Sequence, residues 1–358
     1  MAEAQSKMRI FALDYARAFC MILVVIFHIF LGLSDSGIHV PDWIMIFNNA
    51  MRTVRMPVFF FVSGVLYALI FESGRSRFWE SLLLGLIIPF LVWSEIHGAG
   101  KVLFSAGTTN PIAPKELAHI LWKPFDHFWF IYSLIFIRVV IKLSSYHKLL
   151  LPAVFVISLT YYSMYRLGYF EGGILANIAK GTIYFIVGLF FARNYDISVF
   201  KTSKPIHVFV IAAVGILLFS ITRALEWQVF NTSAPLIARF LEIVVEPMIG
   251  VITIMVIAMS LPAPVGPFGR AAAIVAQGSL VIYMLHPMIA AITRTLLVKL
   301  GVSHWLALFV VCMTVATLVP AAIYLTASKM RLLPWLALGP NRSIRKPEAA
   351  KAEVLVRN

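Results

Sequence analysis

The run RAFCMILVVIFH sets Arg17 and His28 at the two ends of an otherwise apolar stretch. Ionisable groups in such a stretch are costly in lipid, so they turn toward a cavity or a partner. On a helix turning about 100° per residue, positions eleven apart fall within about 20° of each other. Asp14 lies about 40° to the other side of His28, so all three share one face. Depth separates them: Arg17 and His28 are about 16 Å apart along the axis. A neutral imidazole in a water-poor site can take a proton from a hydroxyl while that oxygen attacks an acyl carbon. A carboxylate or a second imidazole would orient it, and basic groups would hold phosphates. The same residue types strung along a path also suit a proton-coupled transporter or exporter of a small acid or glycan.

Other ionisable and polar residues interrupt apolar runs: Arg52, Arg55, Glu95, His127, Arg239, Glu242, Glu246 and His286, with Ser279 below His286. Each has a plainer reading. Asp14 with Arg17 is also a local ion pair at an interface, Arg52 and Arg55 are also residues reaching for headgroups, and Arg239 with Glu242 is also a structural pair. A lone intramembrane histidine such as His286, beside Pro287, also reads as a helix-to-helix hydrogen bonder. The nine histidines show no HxxxH or HExxH spacing, so no metal site is expected. Ser63-Gly64 in FFFVSGVLY lacks the GxSxG pattern of a hydrolase elbow. Cys20 and Cys312 both sit in apolar runs and form no CxxC pair.

The elements that must hold these residues are membrane spans. Of 358 residues, 61% are hydrophobic and only 13% charged, against roughly 25% charged in a soluble domain. The expected fold is all-α, a polytopic bundle of about ten transmembrane helices near 10–33, 53–71, 78–97, 128–144, 149–167, 174–193, 205–226, 236–261, 276–298 and 304–329. The eighth holds Pro247, tolerable if a neighbour satisfies the carbonyl it frees. The net charge is +14. Its Lys and Arg sit between spans and in the tail, which fits lipid headgroups rather than nucleic acid. Their excess on alternate loops places both termini in the cytoplasm. The first span reads as uncleaved, because Asp14, Arg17 and His28 break the apolar core of a signal peptide. Residues 1–338 form the transmembrane domain, and 339–358 a basic, disordered cytoplasmic tail. The long connection near 98–127 is expected outside, over a site or on the interface.

Four stretches together carry a resemblance. FALDYARAFCMILVVIFH (Phe11–His28), RMPVFFFVSGVLY (Arg55–Tyr67), HFWFIYSL (His127–Leu134) and GSLVIYMLHPMI (Gly278–Ile289) occur in the order seen in the acyltransferase family 3 membrane proteins. IIPFLVW (Ile87–Trp93) is weakly similar too. The resemblance spans roughly residues 9–330. It implies a multi-pass protein of the bacterial cytoplasmic (inner) membrane that moves an acetyl or succinyl group from acyl-CoA to a sugar hydroxyl. The acceptor would be a cell-surface or exported polysaccharide, or its lipid-linked precursor. It implies His28 as general base with Asp14 and Arg17 beside it, Arg17 alternatively steadying the donor's phosphates. His127 and Trp129 would line the acceptor side. Arg55, Ser63, Glu95, Ser279, Tyr283 and His286 would complete the substrate cavity. Acyl-CoA would be a donor substrate, with no permanently bound cofactor. The family's tight basic cluster before the third span is reduced here to Arg75 and Arg77, which with Arg17 would meet the CoA phosphates.

Overall fold

The computed structural model describes residues 2–72, 77–103, 113–124, 126–147, 149–195, 205–230, 235–261 and 266–341. Among them every regular element is helical. Nine helical segments among the described residues are long and apolar enough to cross a membrane. The fifth expected span is a helix too, Leu150–Arg166, but its 17 residues reach only about 25 Å, short of a hydrocarbon core of about 30 Å.

In chain order the helices are α1 (Ala2–Asp35), α2 (Asp42–Ala50), α3 (Arg52–Tyr67), α4 (Phe78–Leu82), α5 (Ile88–Leu103), α6 (Trp129–Ser144) and α7 (Leu150–Arg166). There follow α8 (Gly173–Asn194), α9 (Pro205–Phe230), α10 (Pro235–Phe240), α11 (Glu246–Ser260), α12 (Pro267–Gln277), α13 (Ser279–Lys299) and α14 (Trp305–Lys329). Two of these, α2 and α12, were not expected from the apolar pattern. Proline opens α12, where a missing N–H costs nothing.

The chain forms two compact units. The first holds residues 1–16, 52–78 and 129–262, and so α3 and α6 to α11. Its centre is α3 against α8, and glycine explains how close they come. A Cβ on Gly64 would strike the Phe185 carbonyl, and one on Gly188 would strike the Phe61 carbonyl. Small residues at facing positions let two backbones touch, the commonest device for joining helices in lipid. Around that seam the Phe-rich run of α3 packs on rings from α6 and α8. Phe60 lies 4.9 Å from Phe130, and Phe61 lies 5.9 Å from Phe191. On α9, by contrast, Phe209, Ile216 and Leu217 are exposed, as a lipid-facing surface requires.

Pro247 behaves as the sequence suggested. It has no N–H for the carbonyl of Ile243, four residues back. A wide, π-helical turn over Leu241–Val245 opens the helix there, with the Glu246 amide reaching Leu241. The Ile243 carbonyl accepts the Tyr184 hydroxyl of α8 at 2.6 Å instead. A neighbouring helix thus supplies the donor that proline withholds.

The second unit holds residues 17–51, 79–128 and 263–358. Here α13 packs along α14, and the Phe30 ring of α1 stacks on Phe309 of α14 at 4.5 Å. Gly32 of α1 leaves room for the Arg294 guanidinium, which a Cβ there would strike. After α14 the chain folds back: Leu333 and Leu338 are buried, and Leu336 accepts the Trp93 indole N–H at 3.2 Å. The Asn341 amide donates to the Arg331 carbonyl at 2.8 Å. The tail from residue 342 lies outside the described residues.

Candidate active site

Three helices of the second unit, with the entry into α6, bring four imidazoles together. His28 of α1 lies 5.2 Å, ring to ring, from His286 of α13 and 5.9 Å from His127. His127 is 5.7 Å from His286 and 5.2 Å from His97 of α5. His97, His127 and His286 are buried, while His28 is half-buried.

Backbone chemistry orients two of the rings. At His286, Nδ1 lies 2.8 Å from the Ile282 carbonyl one turn back. A carbonyl only accepts, so Nδ1 carries the proton and Nε2 the lone pair. The Tyr283 carbonyl lies beside the ring too. Its own α-helical donor would be residue 287, which is a proline, so the His-Pro pair has a local reason: one residue frees an acceptor and the other occupies the space. At His127 the chain itself is tied, because the Tyr283 hydroxyl donates to the His127 carbonyl. Just before it, Asp126 takes a left-handed backbone, φ 51°, uncommon for a side chain other than Gly. Its carboxylate meets Lys101 Nζ, near the end of α5, at 2.5 Å. That pair clamps α5 to the α6 entry and so sets His97 beside His127.

Several ring nitrogens have no protein partner. His286 Nε2, His97 Nε2 and both nitrogens of His127 are buried without a hydrogen bond among the described residues. Buried polar atoms are nearly always satisfied, so orphaned ones on rings this close together suit a bound polar group. Among the described residues no three His, Cys, Asp or Glu converge as metal ligands.

A second level of contact lies two helical turns away. Arg17 Nη2 donates to Ser279 Oγ at 2.6 Å. Along α13, Ser279 and His286 are seven residues apart, two turns on one face. Along α1, Arg17 and His28 are also aligned. The helices therefore meet at two heights in the same order, so α1 and α13 run parallel.

The other expected residues divide. Glu95 is exposed. The physical reason is helical phase: His97, two residues later and about 200° around, takes the inward direction. His97 was absent from the sequence expectation because that span ended there, whereas α5 continues to Leu103. Asp14, Arg55, Ser63 and Trp129 belong to the first unit. Arg55 is buried, and Asp14, Ser63 and Trp129 are half-buried. Gly64, beside Ser63, serves the α3–α8 seam. Arg77 is exposed, and Arg75 lies outside the described residues. The sequence expectation also omitted Arg138, Lys180, Arg223 and Arg294, each visible as a lone cation in an apolar run.

Fold and site together define a multi-pass helical membrane protein with a histidine cluster among its spans. A model of the acyltransferase 3 family, described as an acyltransferase domain, matches residues 10–325. The chain belongs to that family. It is similar to the glucans biosynthesis protein C of Salmonella paratyphi B and of Salmonella heidelberg. Identity to each is 26% over 145 residues, covering 37% of this chain and 38% of the relative. The match therefore spans well under half the length of those curated relatives. No solved structure matches the chain significantly.

Proposed function

We propose that the protein is an integral-membrane O-acyltransferase that moves an acyl group from acyl-CoA to a sugar hydroxyl of a cell-surface or exported glycan. His28 is the general base. Its imidazole accepts the hydroxyl proton as that oxygen attacks the thioester carbonyl. The C–S bond then breaks, and the leaving thiolate receives the proton from the imidazolium. His127 and His286, one oriented by its backbone tie and the other by its Nδ1 hydrogen bond, hold the acceptor or the tetrahedral oxygen. Arg17, held by Ser279 three turns along α1 from the base, steadies the donor. Asp14 contributes to the field along the same helix face.

One observation carries this reading: a half-buried imidazole lies beside buried imidazoles that each keep at least one unpartnered ring nitrogen. Family membership supports the reaction class, and the names of the relatives support a glucan-like acceptor. The chain sits in the bacterial cytoplasmic membrane with both termini inside, so the donor comes from the cytoplasm.

Purified protein mixed with acetyl-CoA or succinyl-CoA should release free thiol when a glucan acceptor is added. His28→Ala should cut that release by about 10²–10⁴-fold, the usual contribution of a positioned base, with its unfolding midpoint retained. Full acylation by a folded His28→Ala protein sinks the assignment. Counterflow of labelled glycan with no acyl-CoA requirement would replace it with transport.

A further inference from the structure

The first unit holds an ionisable cluster of its own. Glu242, buried in the wide turn after α10, accepts from Arg166 of α7 at 2.5 Å on one oxygen and from Arg239 of α10 at 2.8 Å on the other. Both oxygens are therefore engaged by guanidinium groups. Lys180 lies two turns into α8, and Glu242, Arg166, Arg52 and Arg55 are all close enough to act on its charge. Glu246, fully buried, faces Arg223 of α9 at 3.3 Å. Arg52, Arg166 and Lys180 alone set three cations around the Glu242 carboxylate.

These residues come from one end of the unit. Arg52 and Arg55 open α3, Arg166 closes α7, Lys180 is early in α8, Arg223 is late in α9, and Arg239 is in α10. Helices that alternate in direction bring those starts and finishes to the same level.

An excess of cations held in apolar surroundings calls for a counter-anion. The carboxylates present are already paired. The Lys180 ammonium, half-buried, hydrogen-bonds to none of the described residues, although it carries three donors. Arginine forks and a lysine point charge together suit a carboxylate or a phosphate.

We propose that this cluster is an oxyanion-binding site, with Lys180 as the direct ligand and the exposed Arg52 at its rim. The ligand group is a carboxylate or phosphate carried by a substrate or a lipid. The site stands on the charge arrangement alone and does not rest on the acyl-transfer reading.

The test measures binding rather than turnover. The thermal unfolding midpoint of the full-length protein in neutral detergent is followed while sodium phosphate, or separately sodium succinate, replaces sodium chloride at constant ionic strength. At least one anion should raise the midpoint saturably. Phosphate acting alone identifies a phosphate-bearing headgroup or lipid carrier, and succinate acting alone identifies a carboxylate. Lys180→Met and Arg52→Gln should each raise the half-saturating concentration about tenfold or more, as expected for loss of one charge-assisted contact. Should Lys180→Met fail to fold, Arg52→Gln at its exposed position decides by itself. No saturable shift with either anion overturns the proposal, as does an unchanged half-saturation in either folded variant.

Discussion

At the scale of single residues, backbone hydrogen bonds set up the imidazole cluster as much as its own rings do. Tyr283 shows this. Its hydroxyl ties the His127 carbonyl, so it positions that histidine. Tyr283→Phe should cost about 1–3 kcal/mol, the penalty of an unsatisfied buried carbonyl, and lower thiol release. Chemical denaturation beside the thiol assay checks it, and an unchanged midpoint would reduce the contact to coincidence. The histidines were legible in the sequence because water-loving groups stand out in apolar runs. His28, His127 and His286 were found that way, and so were Arg17 and Ser279 singly, though not the bond between them. What periodicity could not reveal was phase at a span's end: with α5 running past its expected limit, Glu95 was chosen over His97. Lys180 was passed over although the same rule, applied evenly, points to it.

At the scale of helices, two joints hold the first unit together. The α3–α8 seam needs glycine at both Gly64 and Gly188. Gly188→Val would force the backbones apart and should abolish folded protein or lower its midpoint steeply, read by size-exclusion of the detergent-solubilised chain. The second joint is Tyr184 with Pro247. Tyr184→Phe should destabilise by about 1–3 kcal/mol through the orphaned Ile243 carbonyl. Adding Pro247→Ala returns an amide to that carbonyl, so the double variant should lose less than the two single losses summed. Strict additivity would refute the link. The kink itself was readable from one proline in a long apolar run. Its partner was not, because a tyrosine in an apolar run carries no mark of which distant carbonyl it serves. Helix α2 and helix α12 were missed for a related reason: each is too short to stand out against the spans beside it.

At the scale of the whole molecule, hydropathy alone marked ten spans; nine described segments are long and apolar enough to cross, and the fifth falls short at 17 residues. The parallel contact of α1 with α13 agrees with an odd-numbered first and ninth span. Sidedness needs its own measurement. Cysteine placed at Ser303, between α13 and α14, should react with an impermeant maleimide added outside intact cells, and one at Arg331 only after permeabilisation. The native Cys20 and Cys312 are buried and should give little background. The reverse pattern would turn the proposed orientation over.

The bond from Arg17 to Ser279 joins positions 262 residues apart. A ribosome has therefore delivered most of the polypeptide into the bilayer before the first helix meets its mate. Nascent chains stopped short of that meeting carry His28 without His286, so premature termination leaves the imidazole cluster unassembled.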